Sequence, residues 1–295
     1  MKFSITPHRW STVIDYLSEN GYEETELGEA DFLVFNGTPE EFPELPENIR
    51  WVQICLAGID GFEAAGILTS DRRWANARGI FATTVAESAV ALLLAQLHAH
   101  KQCTSWDARA AAEDATGWLH DKTVAIVGAG GIGTELIPML HGFGCRVIAV
   151  NRSGRPVPGA DETTTEAAWS RADYFIVAAP LTAETHHMVD AQVLAEMPPH
   201  AVVVNVGRGP LIDTDALTHA LETGQIAGAA LDVTEPEPLP AEHPLWAMPN
   251  VVITPHIANT SERIQALMPK AILANAQAFA AGEKMPTEVT PGQGY

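Results

Sequence analysis

Along the chain, short unbroken apolar runs alternate with longer segments of helical composition. The runs Thr123–Val127, Arg146–Val150, Tyr174–Ala178, Val202–Val206, Ala229–Val233 and Val251–Thr254 are all apolar and β-prone. Nearly continuous hydrophobicity over four or five residues is what a strand covered on both faces requires, so these runs predict a buried parallel sheet. Helical segments fit between several of them, most clearly Asp213–Thr223, where Asp213 is placed to cap the start and Gly224 to close the end. Strand, helix and strand in repetition predict a doubly wound α/β fold.

The first part of the chain reads as smaller α/β units. Asp31–Asn36 (DFLVFN) and Trp51–Cys55 (WVQIC) are strand-like, with Pro39, Pro43 and Pro46 as punctuation between them. Thr83–His100 predicts one long, mostly buried helix, with Thr83 and Thr84 as caps and Glu87 in its first turns. Ser261–Ala281 predicts another, closed by Gly282 and followed by a loosely held tail containing Pro286 and Pro291. The two long helices are expected to cross between domains. They set the expected division into residues 1–92 with 261–295 and residues 93–260.

Length and composition fit this plan. A chain of 295 residues, 46% hydrophobic and 18% charged, is long enough for two folded domains and unlike disordered or fibrous sequences. Its 17 Lys and Arg against 37 Asp and Glu leave a formal charge of -20, which disfavours nucleic acid and anionic membranes as partners. The stretch Glu19–Glu47 contains no Lys or Arg and is read as a solvated acidic face. Cys55, Cys103 and Cys145 are odd in number and widely spaced, which points to a reducing compartment rather than a disulfide framework. Pro7, His8 and Arg9 interrupt the place where a secretory signal needs an apolar core, so a soluble cytoplasmic protein is expected.

Chemistry enters at Lys122–Gly133, KTVAIVGAGGIG, where Gly128, Gly130 and Gly133 form GxGxxG between a buried strand and a helix. The first glycine permits the turn, the second lets a pyrophosphate approach, and the third allows the helix to pack on the strand. Amides at the helix start, including those of Gly131 and Ile132, would face the phosphates. Pro138 lies inside this helix and predicts a kink or an early end. The following strand ends in Asn151, Arg152, Ser153, Gly154 and Arg155, without the carboxylate that accepts from the ribose of NAD. Arg152, Arg155 and Ser153, with Asn151, suit the extra 2′-phosphate of NADP, so NADP is favoured and NAD remains possible.

With GAGGIG, the segments APLTAETHHMVD at 179–190, VNVGRGPLIDTDAL at 204–217, AALDVTEPEPLP at 229–240 and HPLWAMPNVVITPHIA at 243–258 occur in order. Together they resemble the D-isomer-specific 2-hydroxyacid dehydrogenases, in particular the glyoxylate and hydroxypyruvate reductase branch, over about residues 50–281. The resemblance implies a Rossmann cofactor domain inserted into a smaller, flavodoxin-like α/β substrate domain formed from both chain ends, with a cleft that closes during reaction. It implies a catalytic trio of Arg208, Glu237 and His256. Arg208 would bind the substrate carboxylate and polarise the ketone through its permanently charged guanidinium. His256 would protonate the ketone oxygen, steadied by Glu237, since an ordinary imidazole titrates near 6.5. Glu235 competes with Glu237 within EPEP, and the family pattern selects Glu237.

By the same resemblance, Ala57 and Gly58 in CLAGID offer amides to the substrate carboxylate. Thr84, Val206, Gly207 and Asp232 match positions near the cofactor, Asp232 as an acceptor from the carboxamide or as a cap at a strand end. Pro180 and Thr185 match the cover over its adenosine side. The adjacent His186 and His187 invite a metal, but no carboxylate or cysteine stands at ligand spacing in sequence, and no metal is expected. His98 and His100, two apart on a helix, would face different ways.

The expected activity is hydride transfer from NADPH to the C2 ketone of a small 2-oxo acid, such as glyoxylate or hydroxypyruvate, giving a D-2-hydroxy acid. A homodimer is expected by resemblance, with Lys101–His120 as its arm. Two alternatives stand beside this: an NAD(P)-sensing corepressor or scaffold on the same fold, and a formate-dehydrogenase-like enzyme. Turnover separates the first from a reductase, and the basic Asn151–Arg155 segment argues against the second.

Overall fold

Residues 1–292 are described by the computed structural model, in which one fully parallel and one mostly parallel sheet organise two compact units. The first unit is Met1–Phe81 with the described residues from Asn259 onward. Its strands β1 (Lys2–Thr6), β2 (Glu23–Glu24), β3 (Phe32–Phe35), β4 (Trp51–Ile54) and β5 (Arg73–Ala75) pair in parallel in the order β2-β1-β3-β4-β5. This is the flavodoxin-like order. Helices α1 (Ser11–Glu19) and α2 (Asp60–Ala64) lie between its strands in sequence. Phe32 stacks on Trp51 at 4.5 Å, and Trp51 on Phe279 at 5.8 Å. The basic residues flanking the acidic stretch answer it: Arg9 pairs with Glu24 and Arg50 with Asp31.

The second unit, Ala82–Ala258, begins with α3 (Ala82–Leu97) and α4 (Arg109–Ala115). It continues through β6 (Thr123–Val127), α5 (Gly131–Gly142), β7 (Arg146–Val150), β8 (Glu162–Thr164), β9 (Tyr174–Val177) and α6 (Ala191–Glu196). β10 (Val202–Asn205), α7 (Thr214–Glu222), β11 (Gly228–Leu231), α8 (Pro244–Ala247) and β12 (Val251–Ile253) complete it. All seven strands are parallel, in the order β12-β11-β10-β9-β6-β7-β8. Alternate residues enter opposite cores. Ala125, Ile148, Phe175, Val203 and Ala229 join one with α6 and α7, while Val124, Val147, Ile176, Val204 and Ala230 join the other with α3 and α5. A strand with both faces buried must be apolar throughout, which is why these runs were legible. Asp213 caps α7 by accepting from the Ala216 amide at 3.0 Å.

Several expectations are corrected. The units divide at 81/82 and 258/259, not at 92/93 and 260/261. α3 lies wholly in the second unit because its buried side packs on α5, β10, β11 and β12, and the C-terminal helix α9 (Ser261–Ala280) lies wholly in the first, packed on α1, so neither crosses between units. Thr83 and Thr84 stand inside α3 rather than capping it, and the Thr83 hydroxyl donates to Glu135 of α5 at 3.1 Å. Pro138 does not end α5, which continues to Gly142: proline removes one N–H, and the remaining turns stay buried through Leu136, Ile137 and Leu140. The tail is anchored within the described residues. β13 (Glu288–Val289) pairs antiparallel with β5, Met285 is buried, and Arg73 grips Glu288 at 2.6 and 2.9 Å. Its last three residues lie outside the described part.

Buried amides lock this discontinuous unit together. Asn275 of α9 donates to Gln53 of β4 at 2.7 Å and accepts from the Thr287 amide at 3.2 Å. The Thr287 hydroxyl and the Gln53 side chain both donate to the Asn76 carbonyl, at 2.7 and 2.9 Å. The three cysteines are free. Cys55 and Cys145 are buried, and burial pushes the Cys145 thiol up to about 11 and that of Cys55 higher still. Among the described residues no helix is long and apolar enough to cross a membrane.

Candidate active site

The sheet of the second unit reverses its winding at β6, which has β7 on one side and β9 on the other. In such sheets ligands gather beyond the carboxyl ends of the strands at the reversal. The residues of interest follow those ends in sequence: Gly128 after β6, Asn151 after β7, Pro180 after β9, Arg208 after β10, Glu237 after β11 and His256 after β12.

The three motif glycines are required for three different reasons. Gly128 has φ of 90°, and a Cβ there would collide with the Ala179 backbone. Gly130 precedes α5 with nothing nearer to a Cβ than the Gly128 carbonyl at 4.0 Å, so the space beside it is open. A Cβ on Gly133 would lie 3.1 Å from the Ala129 side chain and 3.2 Å from that of Ile126, where helix and strand touch. The amides of Gly131, Ile132 and Gly133 belong to the first turn of α5, which leaves its N–H groups without helical acceptors. Open space, unsatisfied donors and the positive end of a helix dipole suit a pyrophosphate.

Residues 151–155 form a tight exposed turn. Asn151 donates from its side chain to the Arg155 carbonyl at 2.8 Å and accepts from the Ser153 hydroxyl at 3.0 Å, while Gly154 takes φ of 64°. Arg152 and Arg155 are both exposed on it. In the next loop Thr185 donates to the Pro180 carbonyl at 2.7 Å and accepts from the Thr182 amide at 2.8 Å. Glu184 in this loop is held below its ordinary carboxylate value, chiefly by the Thr182 hydroxyl and in smaller part by Arg152.

The segment after β10 is tied to its own strand. The Gly207 amide donates to the Asn205 side chain at 3.1 Å, which in turn donates to the Arg208 carbonyl at 2.9 Å. Val206 is buried, donating its amide to Val177 at 3.1 Å. A Cβ on Gly209 would collide with the Thr234 carbonyl, so this segment lies directly against the start of the EPEP turn. The Arg208 guanidinium is half-buried and donates to the Gly207 carbonyl at 2.8 Å.

Asp232 organises the last loop. Its buried carboxylate accepts from the Thr254 hydroxyl at 2.6 Å and from the amides of Ile257 and Ala258 at 2.9 and 3.1 Å. Its carbonyl accepts from the His256 amide at 2.8 Å. These bonds hold His256 at φ of 51°, a conformation an L residue keeps only when its surroundings enforce it. There the His256 Nδ1 lies 2.6 Å from Glu237 Oε1, with both side chains open to solvent. Glu237, rather than Glu235, is therefore the carboxylate on His256.

Glu235 has its own histidine. The His187 Nε2 stands 2.6 Å from Glu235 Oε2, and the His186 ring stacks on that of His187 at 3.9 Å. No carboxylate stands at ligand spacing from this pair in sequence, but the turn after β11 carries Glu235 to it across 48 residues. His186, His187 and Glu235 are the one group of potential metal ligands found among the described residues. Of these contacts only that of His187 with Glu235, at 2.6 Å, is a hydrogen bond, and His186 Nε2 stands 3.9 Å from Glu235 Oε1. His98 and His100 follow the end of α3 rather than lying on it, with ring centroids 6.0 Å apart.

Thr84 is half-buried in the first turn of α3. Ala57 and Gly58 belong to the first unit, in the turn after its central strand β4, where the Asn76 side chain donates to the Ala57 carbonyl at 2.7 Å. The roles of Asn76, Asn205 and His187 escaped sequence reading, since an isolated polar residue carries no periodic signal.

A dinucleotide-binding fold with a histidine–carboxylate pair beyond its sheet defines a nicotinamide-dependent oxidoreductase. Residues 89–258 match the family described as D-isomer specific 2-hydroxyacid dehydrogenase, NAD binding domain. The chain is 53% identical over 304 residues to an uncharacterized protein of Corynebacterium melassecola, covering 100% of both. It is 33% identical to the glyoxylate reductase of Thermococcus litoralis, over 88% of this chain and 84% of that one. The structure of a D-isomer specific 2-hydroxyacid dehydrogenase from Xanthobacter autotrophicus in complex with NADPH and MES superposes with a TM-score of 0.80 at 25% identity, covering 100% of this chain and 99% of the other. The chain belongs to the D-isomer-specific 2-hydroxyacid dehydrogenases, a family of NAD(P)-dependent oxidoreductases.

Proposed function

We propose that this enzyme uses NADPH to reduce the C2 ketone of a small 2-oxo acid, with glyoxylate and hydroxypyruvate the leading substrates, to the D-2-hydroxy acid. The observation that carries the reading is the 2.6 Å contact between Glu237 and His256, a carboxylate after β11 aligning an imidazole after β12, with Arg208 after β10, the other neighbour of β11. The cofactor supplies the hydride. Arg208 holds the substrate carboxylate and draws electron density from the ketone. His256 gives a proton to the ketone oxygen, and Glu237 keeps Nδ1 engaged so that Nε2 is the nitrogen that delivers it. Gly130 and the α5 amides hold the pyrophosphate. Pro180 and Thr185 line the adenosine side, and Thr84, Gly207 and Asp232 border the nicotinamide.

Arg152, Arg155, Ser153 and Asn151 are assigned to the 2′-phosphate, which favours NADPH over NADH. The Thermococcus relative is named for glyoxylate reduction, and the Xanthobacter structure contains NADPH. A dimer through Lys101–His120 fits the strong exposure of Trp106 and Trp118, 89% and 63%, in that segment.

A panel of 2-oxo acids assayed with NADPH and NADH side by side tests this. The expected result is saturable reduction of glyoxylate or hydroxypyruvate, faster with NADPH. Cofactor binding without turnover of any 2-oxo acid would favour the sensor reading instead.

A further inference from the structure

His187 touches two segments that carry the catalytic residues. Its amide donates to the Pro210 carbonyl at 2.8 Å, two residues beyond Arg208. Its ring lies 2.6 Å from Glu235, two residues before Glu237. A carboxylate only accepts, so the imidazole Nε2–H donates. The other ring nitrogen stands 4.0 Å from Asp213, and the backbone holds φ of 50°. Both His187 and Glu235 are half-buried.

His256 is anchored by the Asp232 network, whereas its contact with Glu237 does little to fix Glu237. Glu237 and His256 are 41% and 51% exposed, and a contact so open to water contributes little ordering of its own. The position of Glu237 must come from the turn 234–238. That turn is held at its start by the close approach of Thr234 to Gly209 and by the Thr234 hydroxyl donating to the Pro236 carbonyl at 2.9 Å. Glu235, between Thr234 and Pro236, adds a side-chain tether to the same turn through His187.

We propose that the His187–Glu235 contact is a positioning device that keeps Glu237 within hydrogen-bond reach of His256. The proposal rests on the catalytic assignment of Glu237 and His256 made above. His187 touches no reacting atom and acts through Glu235 and then Glu237.

The test compares His187→Asn, Glu235→Ala and Glu235→Gln with the unaltered enzyme in reduction of glyoxylate by NADPH. Asparagine tolerates the left-handed backbone at 187 but is too short to reach Glu235. We expect kcat to fall about tenfold in His187→Asn and Glu235→Ala, with KM for both substrates within about twofold, as for loss of one charge-assisted contact. Glu235→Gln keeps an acceptor oxygen and retains most of the rate. Added to Glu237→Ala, the His187→Asn substitution costs little more, because the residue it positions is gone. If His187→Asn fails to fold, the contrast between Glu235→Ala and Glu235→Gln gives the same reading.

A loss that multiplies in full on Glu237→Ala, a loss confined to KM, or an unchanged kcat overturns the proposal. A crystal structure of His187→Asn or Glu235→Ala adds a readout free of turnover: Glu237 is expected to leave His256, and an intact contact overturns the proposal. Failure of the unaltered enzyme to reduce any 2-oxo acid would instead sink the catalytic reading, while the crystal comparison still decides the positioning.

Discussion

The seven-stranded unit and the six-stranded unit both have apolar cores and a largely parallel α/β plan, but the smaller adds a directional lock between the two ends of the chain. In the larger, two apolar layers alternate residue by residue along each central strand. In the smaller, buried side-chain amides join the two ends of the chain, with Gln53 and Asn275 separated by 222 residues. Apolar burial is non-directional and can fill a core from a continuous segment. A unit assembled from both chain ends gains register from directional bonds, and such bonds are costly to leave half made.

The comparison breaks most sharply where chemistry is separated from folding. His256→Asn is expected to lower kcat by about 10²–10⁴ with an unchanged unfolding midpoint, because asparagine accepts the left-handed backbone but supplies no acid. Steady-state kinetics with thermal unfolding check it. In the smaller unit Asn275→Leu does the reverse. It takes the donor from the Gln53 side-chain oxygen and the acceptor from the Thr287 amide and is expected to cost about 2–3 kcal/mol in denaturant unfolding, with NADPH affinity unchanged.

Arg152→Asp sharpens the contrast within the larger unit, touching an exposed turn and no core. NADPH binding should weaken about tenfold to a hundredfold while NADH binding is spared, and titration with both coenzymes measures it. The smallest effect concerns Glu288. Its carboxyl is held below the ordinary 4.5, first by the hydrogen bond from Arg73, against burial, with help from the Met285 amide. A depressed folded-state value means that this contribution is complete above the unfolded value and is lost as pH falls through the lower, folded one. Glu288→Gln should therefore flatten the acid side of the stability curve by about 1 kcal/mol while leaving its slope near neutrality unchanged. Denaturant unfolding at pH 3 and pH 7 reads the difference.

What was legible in the sequence follows from the same contrast. The strands from Thr123 to Ile253 announced themselves because burial on both faces demands uninterrupted apolar residues, and Gly128, Gly130 and Gly133 because three separate spatial constraints fall at fixed spacing. Edge strands such as Glu162–Thr164, with every residue half-buried, carry no such pattern. Arg73–Glu288 and His187–Glu235 are pairings across 215 and 48 residues, which no local period records. Pro138 does not end α5, because the tertiary burial of Leu136, Ile137 and Leu140, which the local sequence does not record, outweighs one missing donor.

The most direct test is a crystal structure of the enzyme with NADP and oxamate, an unreactive mimic of a 2-oxo acid. The account predicts the Arg208 guanidinium on the oxamate carboxylate, His256 Nε2 within hydrogen-bond distance of the oxygen standing for the ketone, and Glu237 still on Nδ1. An oxamate bound away from Arg208 and His256, or a cofactor seated elsewhere than beside Gly130, would contradict it.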